Sequence, residues 1–198
     1  KRIDRDTHLH VLKSRMLSGH LQGRMLSLIS HMIKPKRILE IGTYTGYSAI
    51  CLAEGLSENG KLVTIDINEE LEERVRTYFS KTSFSDKIDY RVGDAAKIIP
   101  DLKDVFDLVF IDADTLNTPA YITWSLKLTQ PGTLIITDNV VRDGVVLDAT
   151  SSDPYTQAVR GINETLASAP GLAATVLQTV GSKGYDGLAL AVVTGQQH

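Results

Sequence analysis

The chain has 198 residues, a formal net charge of -3, and 42% hydrophobic and 23% charged residues. That is enough for one buried core with no sign of a second, and the mild acidity argues against nucleic-acid binding, which leaves a basic footprint. The single cysteine, Cys51 in the apolar run "YSAICLAEGL", excludes an internal disulfide and reads as a buried structural thiol.

Short basic clusters at Lys1–Arg5 and Lys34–Arg37 read as solvated surface. No run is long enough to span a membrane and no signal-peptide pattern is present, so a cytoplasmic protein with no membrane partner is the simplest expectation. The chain begins at Lys1 rather than Met, which leaves room for a preceding segment.

From His20 to Ile33, apolar residues recur at Leu21, Met25, Leu28, Ile29 and Met32, a helical stripe ended by Pro35. "RILEI" opens a strand that Gly42 and Gly46 break. "YSAICLAEGLS" is the next helix, stopping around Asn59–Gly60. "KLVTID" is a second strand, Glu69–Ser80 a polar-faced helix, "KIDYRV" a third strand and "AAKIIPDL" a short helix. "FDLVFI" is a fourth strand, a helix starts near Pro119 and runs to about Leu128, and "PGTLIIT" is a fifth strand. Beyond Asp138 the chain is loop-like. A helix over Tyr155–Ala169 and strands over Ala173–Gln178 and Leu188–Val193 then close it, the two strands separated by the glycine-rich turn "TVGSKGYDG". Strands alternating with helices through short connections imply an α/β fold with a mostly parallel sheet covered on both faces.

Ligands of such sheets bind beyond the carboxyl ends of the strands. The first such place is "EIGTYTGYS", Glu40–Ser48, where Gly42 and Gly46 permit a tight turn and close backbone approach. Its G-x-x-x-G spacing departs from the dinucleotide fingerprint and alone equally suits a plain turn. Asp66, ending the second strand, can accept bonds from both hydroxyls of a ribose. Asp94 and Ala95 follow the third strand, where an adenine pocket would lie. Together these strand ends point to a nucleoside-bearing cofactor, without choosing between a nicotinamide dinucleotide and a sulfonium nucleoside.

Asp112 ends the fourth strand, and Asp138 with Asn139 ends the fifth. Neighbouring strands would bring these together as a hard, all-oxygen set suited to Mg²⁺ or Ca²⁺. The bland alternative is that each aspartate caps a loop by binding backbone amides. His20, in a helical first turn, and Arg142, Lys183 and Tyr185, in late loops, are weaker candidates for touching a substrate.

The segments "LEIGTYTGYS", "VTIDIN", "VFIDAD" and "TDN" at these separations resemble the cation-dependent class I O-methyltransferases, which include catechol and caffeoyl-CoA O-methyltransferases. The likeness covers about Arg15 to Val193. It implies a Rossmann-like fold with a seven-stranded, mostly parallel sheet, and S-adenosylmethionine as cofactor. It places Glu40, Gly42, Tyr44, Gly46, Ser48, Asp66, Asp94, Ala95 and Asp112 around the cofactor, and Asp112, Asp138 and Asn139 on Mg²⁺, Ca²⁺ or Mn²⁺. A small aromatic diol as acceptor and a homodimer are further implications. A single domain is expected, with a helical cap over residues 1–34, a cofactor-binding half over 35–139 and acceptor-side elements over 140–198.

The first half carries the style of one bacterial branch of this family and the later segments that of another. One departure stands out. Many members carry a lysine in "DADK", assigned as general base or as partner of the acceptor oxygen, and this chain has Thr115 there. Metal acidification with water or hydroxide taking the proton would serve in its place, or another side chain would, Lys183 being the one late-loop lysine to consider. The departure keeps open a relative that binds S-adenosylmethionine without efficient turnover. A nicotinamide-dependent oxidoreductase is the more distant alternative.

Overall fold

Strand and helix alternate along the chain in the order that the periodicity predicts. The computed structural model describes residues 2–181 and 183–195. Two compact units divide the chain, Lys1–Ile98 and Ile99–His198.

The first unit contains α1 (Arg2–His10), α2 (His20–Ile33), β1 (Arg37–Ile41), α3 (Tyr47–Ala53), β2 (Lys61–Asp66), α4 (Glu72–Ser80), β3 (Ile88–Val92) and α5 (Ala95–Ile98). The second contains β4 (Phe106–Ile111), α6 (Thr118–Leu126), β5 (Thr129–Asp138), α7 (Pro154–Ser168), β6 (Leu172–Gly181) and β7 (Gly184–Val193). The strands form a seven-stranded sheet in the order β3-β2-β1-β4-β5-β7-β6, with helices around it. β1 and β3 flank β2 in parallel and β4 pairs with β5 in parallel, whereas β7 runs antiparallel to both β5 and β6. No described helix is long and apolar enough to cross a membrane.

Interior parallel strands are buried on both faces and read as continuous apolar runs. In the first unit, Ile38, Leu39, Ile41, Leu62 and Ile65 are buried in this way, joined by Val75 of α4. In the second, Phe106, Leu108, Val109, Phe110 and Ile111 of β4 are buried with Ile135 and Ile136 of β5 and Val159 and Ile162 of α7.

α2 runs over the predicted residues, ending at Lys34 in a left-handed conformation just before Pro35. Its apolar stripe, however, is not the face it buries. Gly23, Leu26, Ser27 and Ser30 face inward, while Leu21, Leu28 and Met32 are 81%, 64% and 76% exposed. Small residues win the inner face because α3 comes so close. A Cβ on Gly23 would lie 2.6 Å from the Tyr47 ring, and one on Gly55 would lie 2.2 Å from the Ser30 backbone. Arg24 clamps the pair by donating to both Glu54 carboxylate oxygens at 2.9 Å, and Ser30 Oγ donates to the Leu52 carbonyl at 2.6 Å. The same approach ends α3 at Ala53, earlier than Asn59–Gly60 as expected, since the chain must turn at Gly55.

Other elements also differ from the sequence expectation. α1 precedes the predicted elements and is tied down by Thr7 Oγ1 donating to Thr45 Oγ1 at 3.1 Å and by Asp6 accepting from Arg74 and Tyr78. The glycine-rich turn is also shorter than expected, because β6 continues to Gly181 and β7 starts at Gly184.

Candidate active site

β1 ends in Glu40 and Ile41, and the backbone then turns through Gly42 at φ 102° and Tyr44 at φ 47°. The left-handed conformation of Tyr44 is costly for an L side chain, and an acceptor holds it: Tyr44 N donates to Asp66 Oδ2 at 2.6 Å. Asn68 N donates to Asp66 Oδ1 at 2.8 Å, so two backbone donors fix the carboxylate. Each oxygen keeps a lone pair for a further donor such as a ribose hydroxyl. The Tyr44 hydroxyl donates to the Leu12 carbonyl at 3.2 Å, which attaches the N-terminal segment to this turn.

Glu40 is fully buried. Thr64 Oγ1 donates to its Oε2 at 2.5 Å, and Thr64 in turn lies 2.5 Å from Thr43 Oγ1. Oε1 has no well-formed hydrogen bond, although the Ser48 hydroxyl is close enough to favour the charged form. Burial pushes the Glu40 carboxyl up to about 7, with the Asp66 charge adding to the rise and Ser48 and Thr64 opposing it. A buried carboxylate is stabilised in its charged form by a cationic partner, such as the amino-acid end of a nucleoside cofactor would supply.

Gly46 also has a packing duty. It caps α3 at φ 81°, and a Cβ there would lie 2.6 Å from the Phe79 ring. Ser48 is buried in the first turn of α3. Asp94 caps α5 by accepting from Ala96 N at 2.9 Å, and Ala95 is buried beside it. His20 starts α2, exposed, with Nδ1 3.3 Å from the Tyr47 hydroxyl.

A prediction follows from Glu40. The folded protein holds this proton up to about pH 7, whereas an unfolded chain releases it near 4.5. The native state therefore binds the extra proton between these values, and stability falls as pH rises from 4.5 to 7. Glu40→Gln removes that loss and should stabilise the ligand-free protein at pH 8 by about 1–3 kcal/mol. It should also weaken binding of a cationic ligand about tenfold or more, since a charge-assisted bond is lost. Thermal unfolding from pH 5 to 8, with and without ligand, checks both signs. A Gln variant no more stable at pH 8 would contradict the buried-charge account.

In the second unit, β4 and β5 are hydrogen-bonded neighbours in parallel register, with Ile111 opposite Thr137. Asp112 and Asp138 directly follow these two paired residues. Asp114 lies two residues beyond Asp112. Its Oδ1 accepts from Asn117 N at 3.0 Å and Nδ2 at 2.8 Å, and its Oδ2 accepts from the Tyr121 hydroxyl at 2.8 Å. It orders the loop that opens α6.

Asp138 Oδ1 accepts from Asn139 N at 2.7 Å. Asn139 itself adopts φ 61°, a left-handed conformation that Asn tolerates better than most residues. Its Nδ2 donates to Asp186 Oδ2 at 3.0 Å, which leaves the amide oxygen for another partner. Asp186 Oδ1 accepts from Val141 N at 3.0 Å, Arg142 N at 2.8 Å and Gly187 N at 2.8 Å. One carboxylate thus fixes the strained turn in which Arg142 and Asp143 take φ 47° and 53°. Sequence reasoning missed Asp186. It lies inside "KGYDG", and only the antiparallel pairing of Asp138 with Leu188 brings it beside Asn139.

Among the described residues, no three His, Cys, Asp or Glu side chains group as a metal site. A cation here would rest on Asp112, Asp138 and the Asn139 amide oxygen, with water completing the shell. That donor set fits Mg²⁺ or Ca²⁺ in charge and hardness.

Thr115 receives a hydrogen bond from Arg142 Nη1 at 2.6 Å. Lys183, the expected replacement for the missing lysine, sits exposed in the turn before Gly184. Tyr185 closes the Arg142 loop, its N donating to Asp143 Oδ1 at 3.1 Å and its hydroxyl to the Asp143 carbonyl at 2.5 Å.

The family described as O-methyltransferase matches residues 1–192. The catechol O-methyltransferase of Niastella koreensis is 40% identical over 176 residues, covering 87% of this chain and 80% of that protein. The catechol O-methyltransferase of Mycobacterium tuberculosis is 42% identical over 173 residues, covering 87% and 78%. Among solved structures, the O-methyltransferase from Bacillus cereus in complex with SAH has a TM-score of 0.90 at 40% identity, covering 98% of this chain and 91% of that one. The O-methyltransferase TomG from Streptomyces achromogenes, involved in tomaymycin synthesis and in complex with SAM, has a TM-score of 0.92 at 38% identity, covering 98% and 88%.

Proposed function

Since the chain belongs to the O-methyltransferase family, we propose that it transfers the methyl group of S-adenosylmethionine to a hydroxyl of a catechol-like small aromatic acceptor, and that it needs a divalent cation to do so. The observation that supports this reading is the Asn139 amide, whose nitrogen donates to Asp186, so that its oxygen is left to act with the carboxylates of Asp112 and Asp138 as an all-oxygen donor set. Neither a nicotinamide-dependent oxidoreductase nor a binding protein without turnover finds support in the comparisons.

Each residue has a physical task in this reaction. Glu40, ionised, faces the cofactor's ammonium. Asp66, held by Tyr44 N and Asn68 N, accepts the ribose hydroxyls. Asp112 and Asp138 would hold a divalent ion with the Asn139 amide oxygen, their two negative charges offsetting its charge. An ion bound there supplies a template for two adjacent oxygens and electrostatic acidification of the reacting hydroxyl. In the transfer the acceptor oxygen forms a bond to the methyl carbon, the carbon–sulfur bond breaks toward sulfur, and the hydroxyl proton leaves to solvent. Holding oxygen and carbon close and aligned supplies most of the acceleration.

The test is methyl transfer from labelled S-adenosylmethionine to catechol and to phenol in the presence of Mg²⁺. Product from catechol with little from phenol is expected. Equal labelling of both would contradict chelation of a vicinal diol, and no labelling of any diol would contradict the activity.

A homodimer and a cytoplasmic location belong to the same proposal. The exposed residues Leu21, Leu28 and Met32 along α2 support the dimer, because they form an apolar stripe that the folded chain itself leaves uncovered. Sedimentation equilibrium returning only the 21.7 kDa of one chain would contradict it.

A further inference from the structure

We propose that Arg142 is a positioning residue for this reaction, one that acts through the Thr115 hydroxyl to set positive charge toward the acceptor's reacting oxygen. The inference rests on the methyl-transfer reading above. Arg142 Nη1 donates to Thr115 Oγ1 at 2.6 Å, and its guanidinium lies 6.0 Å from the centre of the Tyr155 ring. Among the described residues, no carboxylate comes within ion-pair distance of that guanidinium. Asp153 feels its charge but is engaged as the cap of α7, accepting from Thr156 N and Oγ1 at 2.7 and 2.8 Å.

The backbone supports the same assignment. Arg142 sits at φ 47°, and such a conformation costs an L residue roughly 1–2 kcal/mol. The bond from Arg142 N to Asp186 Oδ1 at 2.8 Å holds it there. Asp186 also fixes the Asn139 amide, so one carboxylate sets the cation and a ligand oxygen together.

The chemistry follows from the donor inventory. A hydroxyl that accepts from a guanidinium keeps its own hydrogen to give, and the adjacent cation polarises that O–H bond. The Thr115 hydroxyl is thereby a stronger donor to an oxygen anion than an isolated threonine. A guanidinium cannot take a proton near neutrality, so this pair stabilises the anion without serving as base. It replaces the charge of the lysine that the resemblance led us to expect, and leaves proton removal to water or hydroxide.

The test combines binding with kinetics on the intact, Mg²⁺-loaded protein. A nitro-substituted catechol, whose anion absorbs visible light, reports binding of the ionised diol without turnover. Arg142→Gln should weaken that binding about tenfold, the size expected for one charge-assisted hydrogen bond. It should lower kcat about as much for weakly acidic diols and less for acidic ones. Affinity for S-adenosylmethionine and the thermal midpoint should stay near wild type. Arg142→Lys should recover part of the loss by restoring charge without the planar fork. Thr115→Val should match Arg142→Gln, and the double variant should be no worse than either, as expected for residues acting as one unit.

Active wild type with an Arg142→Gln variant that binds the probe equally well would overturn the assignment of Arg142 alone. So would losses that multiply in the double variant. A wild type that neither binds the probe nor methylates any diol would overturn this assignment together with the reading it rests on.

Discussion

Asp138→Asn should lower methyl transfer about a thousandfold, because a carboxylate bound to a divalent ion is worth several kcal/mol at the reacting centre. The variant is chosen to separate two roles. Asp138 Oδ1 accepts from Asn139 N at 2.7 Å, which is what a mere loop cap would do. An asparagine at 138 keeps an oxygen for that bond and loses the charge and the second acceptor oxygen. Were capping its whole contribution, turnover and stability would both stay near wild type. If the charge neutralises a cation, turnover collapses while the fold and S-adenosylmethionine binding persist. Asp112→Asn should behave in the same way, since Asp112 occupies the corresponding place on the paired strand. Steady-state rates at saturating Mg²⁺, with calorimetric binding of S-adenosylmethionine, distinguish the outcomes.

Asp186→Asn is the second large effect expected, and it acts without touching the reaction directly. The new side chain can still offer one oxygen to Val141 N, Arg142 N and Gly187 N. Its amide nitrogen then faces the Asn139 nitrogen, a donor against a donor. The Asn139 amide must turn away or flip, and its oxygen no longer points where Asp186 now leaves it. Loss of such an orienting partner typically costs 10–100-fold in metal affinity, so the Mg²⁺ concentration for half-maximal activity should rise by about that factor. Asp186→Ala should go further and lower the thermal midpoint, since each part-buried donor left without an acceptor costs about 1–3 kcal/mol. An Asp186→Asn protein with unchanged Mg²⁺ dependence would reduce the aspartate to a structural clamp of the loop.

Much of the architecture was legible because it follows from local rules. The apolar runs of β2 and β4 have their observed bounds, and α2 begins and ends where its periodicity and Pro35 place it. The strand mouths carrying Glu40, Asp66, Asp112 and Asp138 could be named for the same reason.

What escaped the sequence depends on tertiary geometry. The outward direction of the α2 stripe is set by how closely Gly23 and Gly55 let α3 approach, and periodicity locates a stripe without saying what it meets. Thr43 and Thr64, which connect to Glu40, look like ordinary strand and turn residues until their hydroxyls are placed. Arg142 is separated from Thr115 by 27 residues and Asp186 from Asn139 by 47. Neither pairing follows from spacing, because each needs the turn after β5 and the antiparallel return of β7. Lys183 was the reasonable replacement for a missing cation by residue type alone. The side chain that bonds Thr115 is an arginine held in a strained backbone.

The measurement that bears most directly on the central claim is methyl transfer to catechol before and after exhaustive chelation, followed by titration with Mg²⁺. Turnover should vanish in the chelated protein, return in proportion to the added ion, and fail to return in Asp138→Asn. Undiminished turnover after chelation would contradict the account.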